Sequence, residues 1–142
     1  MRLTPEITQS LSGYMKNLED DITIVLQTGE HDKRDELVTF LQEVCATSEK
    51  LLFEEKDLGT EIRSPITFSL LKGGVSSGIK FTGIPGGHEF NSFILATLQL
   101  GGSDLKLDSG IKSLINDIED KLRFEIFISL DCHICPDVVQ AL

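Results

Sequence analysis

No run of about 18 apolar residues occurs anywhere in the 142-residue sequence, which excludes a bilayer-spanning helix. The first twenty residues also lack the continuous apolar stretch of a secretory signal, because Arg2, Glu6, Lys16, Glu19 and Asp20 interrupt them. No membrane partner is expected, and the expected location is cytoplasmic. Basic residues are scarce, 13 Lys+Arg against 23 Asp+Glu, for a net charge of −10. A surface of that sign repels a phosphate backbone, so nucleic acid is not an expected partner. Cysteine is scarce too: three residues, an odd count, make a framework of structural disulfides a poor reading and turn the question to metal or redox chemistry. The pairs Gly73-Gly74, Gly86-Gly87 and Gly101-Gly102 lack the G-x-G-x-x-G or G-K-[ST] context of phosphate loops and read as turns. No Ser–His–acid or paired-carboxylate arrangement follows from spacing. What remains, 40% apolar and 25% charged residues, is the balance of an ordinary globular chain.

Hydrophobic spacing sets out the architecture. Ile7, Leu11, Tyr14 and Leu18 recur at helical intervals behind Thr4 as N-cap and Pro5 at the first helical position. Asp21 to Thr28 is a short, β-branched, apolar run that suits a strand buried on both faces. A helix opened by Asp32 follows, with Leu37, Phe40, Leu41 and Val44 on one stripe, and Leu51 to Glu55 then completes a parallel βαβ unit. Ile66 to Leu71 reads as a third strand, Val75 to Gly78 as a turn-rich link, and Ile79 to Thr82 as a fourth, short strand paired antiparallel to the third. Phe90, Phe93, Ile94, Thr97 and Leu98 mark a helix face that closes a β-α-β-β-β-α unit. Leu107, Ile111, Leu114, Ile115, Ile118 and Leu122 predict one more amphipathic helix. From Leu122 to Leu130 the period falls to two, the pattern of a strand, and Asp137 to Leu142 reads as the first turns of a helix. The order strand, loop, helix at the C-terminal end repeats that of Asp21 to Cys45.

Cys132-His133-Ile134-Cys135 at that strand-to-helix junction is the strongest chemical signal. Two intervening residues let one helical turn bring the sulfurs within bonding distance, and a helix N-terminus favours a thiolate on the first. Cys132 is the expected attacking thiol and Cys135 the resolving one, which can capture a mixed disulfide intramolecularly. A protonated His133 would add positive charge beside the thiolate. The competing reading is half a zinc site, but the second pair of ligands is missing: only Cys45, His31, His88 and His133 remain. Cys45 lies on a helical stripe and reads as a small buried hydrophobe. His31 and His88 read as solvated, and Glu89, on sequence grounds alone, as a first-turn carboxylate facing a helix dipole.

The segments Phe81 to Phe90 (FTGIPGGHEF) and Phe124 to Leu142 (FEIFISLDCHICPDVVQAL) resemble the N-terminal domain of the alkyl hydroperoxide reductase F subunit, a flavoprotein disulfide reductase, and the likeness runs over essentially the whole chain. The resemblance implies an α/β, thioredoxin-like fold: one complete degenerate thioredoxin fold without C-x-x-C at 1–105, followed at 106–142 by a connecting helix and the opening strand and helix of a second fold that carries it. It implies a dithiol reduced by a downstream module bearing FAD and using NADH, neither of which has a site in this chain, and a peroxiredoxin partner, the C subunit of the system. Cys132 and Cys135 match the family's redox pair, and Glu89 matches an acidic residue that approaches the dithiol and could transfer a proton. Asp131 departs from the usual small hydroxyl residue, and a carboxylate there opposes thiolate formation. With seven residues after Cys135, the chain is expected either to be truncated relative to the family or to have the missing part of the second fold supplied by another chain. A docking or adaptor domain with a structural or zinc-binding C-x-x-C is the alternative function, and a homodimer is left open.

Overall fold

The computed structural model describes residues 2–142. Helix α1 (Pro5–Met15) starts as the sequence predicts, with the Thr4 hydroxyl accepting from the Ile7 N–H at 3.2 Å. Strand β1 (Ile22–Leu26) is buried at every position, and α2 (Arg34–Cys45) carries the chain over to β2 (Leu51–Glu55), which pairs with β1 in parallel. Strands β3 (Thr67–Lys72) and β4 (Val75–Thr82) form an antiparallel hairpin, and the sheet order is β2-β1-β3-β4. The single-turn 3-10 helix Gly87–Glu89 leads directly into α3 (Phe90–Leu100). Helices α4 (Ser109–Asn116) and α5 (Cys135–Ala141) complete the elements.

One core joins the sheet to α1, α2 and α3. Phe40 of α2, Phe68 of β3 and Phe93 of α3 are fully buried, with ring centroids 6.0 Å apart for Phe40–Phe93 and 5.4 Å for Phe68–Phe93. Alternate residues of β1, Ile22, Ile24 and Leu26, enter the same cluster, so α2 and α3 cover one face of the sheet. Full burial of one such phenylalanine contributes roughly 1.5–3 kcal/mol.

Four sequence expectations change. Gly73 and Gly74, both at positive φ (55° and 81°), make the hairpin turn themselves. Val75 to Gly78 is therefore paired strand, with a bulge between Ser69 and Leu71, not a link. Asp32 does not open α2; Lys33 holds the N-cap position, and the His31 Nδ1 and carbonyl accept from the N–H groups of Lys33 and Arg34, each at 3.0 Å. The helix expected from Leu107 through Leu122 spans only Ser109–Asn116, capped by Asp108, and none of its residues is buried. A helix this short gains little without tertiary packing, and Ile118 and Leu122 lie beyond its end. Leu122 to Leu130 alternates in sequence but carries no ladder: among the described residues no strand pairs with it, and a strand exists only with a partner to take its N–H and C=O groups. No helix among the described residues is long and apolar enough to cross a membrane.

Candidate functional site

The chemistry-bearing residues meet where the C-terminal loop docks on the turn before α3. Gly87, at φ 54°, brings its backbone close against Leu130: a Cβ there would stand 3.0 Å from the Leu130 carbonyl oxygen. The His88 N–H donates to that same oxygen at 3.4 Å. The loop then turns, with the Cys132 N–H donating to the Ser129 carbonyl at 3.0 Å, and α5 begins at Cys135, two residues earlier than the apolar pattern indicated. Pro136 falls in the first turn, where its missing N–H costs nothing. Helix α5 packs against α3 and the 3-10 turn, and the Gln140 Nε2 donates to the Ser92 Oγ at 3.1 Å.

Cys132 and Cys135 are joined in a disulfide with their Cα atoms 5.5 Å apart, both half-buried. Ile134 is the N-cap of α5, so a helix does begin between the two sulfurs. Glu89, on the turn that packs against α5, is buried at 4% exposure, and its Oε1 has no hydrogen-bond partner. It also occupies the N-cap position of α3, but its side chain makes no capping hydrogen bond. The dipole role is therefore not performed through a cap, and a buried carboxylate oxygen is left unsatisfied, which is costly unless the group is used.

His88 is exposed, as expected, yet its ring meets that of His133 edge to face with centroids 4.5 Å apart. The two residues lie far apart in sequence and carry no local pattern that links them. Only the docking of loop on turn does so. His31 stands elsewhere, at the start of α2, and Asp131 is exposed. Cys45 is in the core at 9% exposure, and burial pushes its thiol up from 9.0 to about 12, so it is protonated and inert at neutral pH. Among the described residues no group of three or more His, Cys, Asp or Glu side chains is arranged to hold a metal ion.

No protein-family model matches the chain. Among curated proteins it is 39% identical over 142 residues to "NADH dehydrogenase" of Bacillus subtilis (strain 168), covering 100% of this chain and 27% of that protein. It is 39% identical over 140 residues to the F subunit of alkyl hydroperoxide reductase of Pseudomonas aeruginosa, covering 99% and 26%. Among solved structures, the NTD_N/C domain of alkylhydroperoxide reductase AhpF from Enterococcus faecalis (V583) superposes with a TM-score of 0.88 at 34% identity, over 99% of this chain and 72% of that one. The chain belongs to the family of alkyl hydroperoxide reductase F subunits. It corresponds to the N-terminal domain of that family and spans about a quarter of the curated relatives' length (27% of the first). A protein disulfide oxidoreductase from Aeropyrum pernix K1, at TM-score 0.80 and 16% identity over 99% of this chain and 66% of that one, shares the fold alone. The α/β, thioredoxin-like class implied by the sequence resemblance is thus the observed one.

Proposed function

We propose that this chain carries out thiol–disulfide exchange at Cys132 and Cys135, as the relay between a flavoprotein disulfide reductase module and a peroxiredoxin. The observation that carries this reading is the Cys132–Cys135 disulfide on an interface shared with the turn that holds the buried, unpartnered Glu89. Membership of the family named above supports it.

In the productive direction the dithiol is first reduced, taking two electrons and two protons. The thiolate of Cys132 attacks a disulfide sulfur of the peroxiredoxin, forming a mixed disulfide and releasing the partner's other sulfur as thiolate. The Cys135 thiol then loses its proton, attacks the Cys132 sulfur and re-forms the internal disulfide, which frees the partner's second sulfur. Two electrons have passed to the partner. Glu89 is the proposed proton acceptor for Cys135, because an unbonded carboxylate oxygen has a free lone pair for that proton. FAD and NADH belong, in this reading, to the downstream module of the longer relatives, and the C subunit of the alkyl hydroperoxide reductase system is the partner. Residues 1–105 would form the degenerate unit that supplies Glu89, and 106–142 the start of the unit that supplies the dithiol.

Alkylation and mass analysis before and after mild reduction test the reading. Reversible labelling of Cys132 and Cys135 is expected; unchanged labelling would favour the adaptor role. With a peroxiredoxin disulfide as acceptor, Cys132→Ser is expected to abolish transfer and Cys135→Ser to trap a mixed disulfide, whereas equal transfer by both variants rejects the assigned roles.

A further inference from the structure

We propose that His88 is a positioning residue for the dithiol: its imidazole, contributed by the turn before α3, clamps the ring of His133 and so holds the C-x-x-C loop in the geometry that keeps the two sulfurs within reach. The inference rests on the exchange reading above and adds a residue outside the C-x-x-C motif to it.

The loop has few other anchors on that turn. His133 is the first of the two residues between the cysteines, and its ring lies against His88 at a centroid distance of 4.5 Å with the planes inclined by 60°. The backbone beside it is tied by the His88 N–H to the Leu130 carbonyl, and the far side of the helix by Gln140 to Ser92. Between these two ties, the side chains of Cys132 and Cys135 are joined to each other by the disulfide. While the disulfide is closed, the covalent bond fixes the loop. Once two electrons and two protons open it, the loop loses that constraint, and contacts on the turn are what keep the Cys135 sulfur near Cys132. Each such contact raises the effective concentration of one sulfur at the other. Both imidazoles are exposed, so the contact acts through ring packing rather than a desolvated charge, and a graded effect is expected.

The test uses the full chain with His88→Ala and His88→Phe. The first removes the ring and the second keeps a ring without ring nitrogens. The equilibrium constant for protein dithiol plus glutathione disulfide going to protein disulfide plus two glutathione thiols reads the effective concentration. His88→Ala is expected to lower it about two- to tenfold, the range that an edge-to-face ring contact supports, and His88→Phe to restore most of it. A merely structural role would move the urea midpoint and not this constant; an unchanged constant in His88→Ala overturns the proposal. A second measurement needs no thiol–disulfide exchange: amide hydrogen exchange of the reduced, dithiol form at Cys132 and Asp137, whose N–H groups donate to the Ser129 and Ile134 carbonyls. His88→Ala is expected to speed both, and equal protection in the two proteins overturns the clamp even where the wild-type dithiol proves inert, which would sink only the exchange reading.

Discussion

The Nε2 of Gln140 donates to the Oγ of Ser92 at 3.1 Å, bridging α5 to α3 across the seam on which the C-x-x-C loop sits. Ser92 is buried at 2% exposure, whereas Gln140 is exposed and can turn to water. Removing the hydroxyl therefore leaves no buried group unpaired, and Ser92→Ala is expected to cost only about 0.5–1.5 kcal/mol, read as loosening of α5. Amide exchange should rise in residues 135–142 while the sheet stays protected. Equal exchange across α5 would show that the bridge contributes nothing.

Much of this arrangement is legible in the sequence, for reasons that differ by residue. The run Ile22 to Leu26 is β-branched and apolar throughout because both faces of β1 are buried, and Cys45 falls on the stripe that packs into the core. The start of β4 is not legible: Val75, Ser76 and Ser77 pair with β3 only because the Gly73-Gly74 turn delivers them there. Leu122 to Leu130 is over-read in the opposite sense, since alternation records which side chains want one face and says nothing about whether a partner strand is present. The contact of His88 with His133, and the burial of Glu89, are created by tertiary docking and have no local signature.

Glu89 places function against stability. Its Oε1 is buried without a partner, so Glu89→Met, which fills similar space with no polar atom, is expected to raise the free energy of unfolding by about 1–2 kcal/mol, read as a higher urea midpoint. The same variant should slow re-formation of the Cys132–Cys135 disulfide on the order of a hundredfold, because the proton acceptor is gone. Glu89→Gln should also be slow, as an amide cannot take up the proton. Normal ring closure in both variants would remove Glu89 from the mechanism.

Arg34 ties three segments together. Its guanidinium donates to the carbonyls of Gln27 and Pro65 and pairs with the Glu55 carboxylate at 2.8 Å. The side chain is only 14% exposed, against 48% for Glu55, so the backbone carbonyls depend on it more than the ion pair does. Arg34→Ala is expected to destabilise by about 2–3 kcal/mol and Glu55→Ala by under about 1 kcal/mol. Arg34→Lys should fall nearer the alanine variant, because an ammonium cannot span the same fork. Denaturant midpoints decide it, and equal effects of Arg34→Ala and Glu55→Ala would overturn the ranking.

Cys45 predicts a loss of stability at high pH. Burial raises its thiol from 9.0 to about 12, so between those values the folded chain holds a proton that the unfolded chain has released. Proton binding is then greater in the folded state, the slope of unfolding free energy against pH is negative, and the favourable contribution present below pH 9 declines as pH rises toward 12 at up to about 1.4 kcal/mol per unit. Cys45→Ala removes the titrating group and should flatten that part of the curve, at the cost of a small cavity in the core at all pH values. The same burial predicts that iodoacetamide at pH 8 labels two cysteines in the reduced native chain and all three only after unfolding. Rapid native labelling of Cys45, or parallel pH curves for the two proteins between 9 and 12, would show that the thiol is open to solvent.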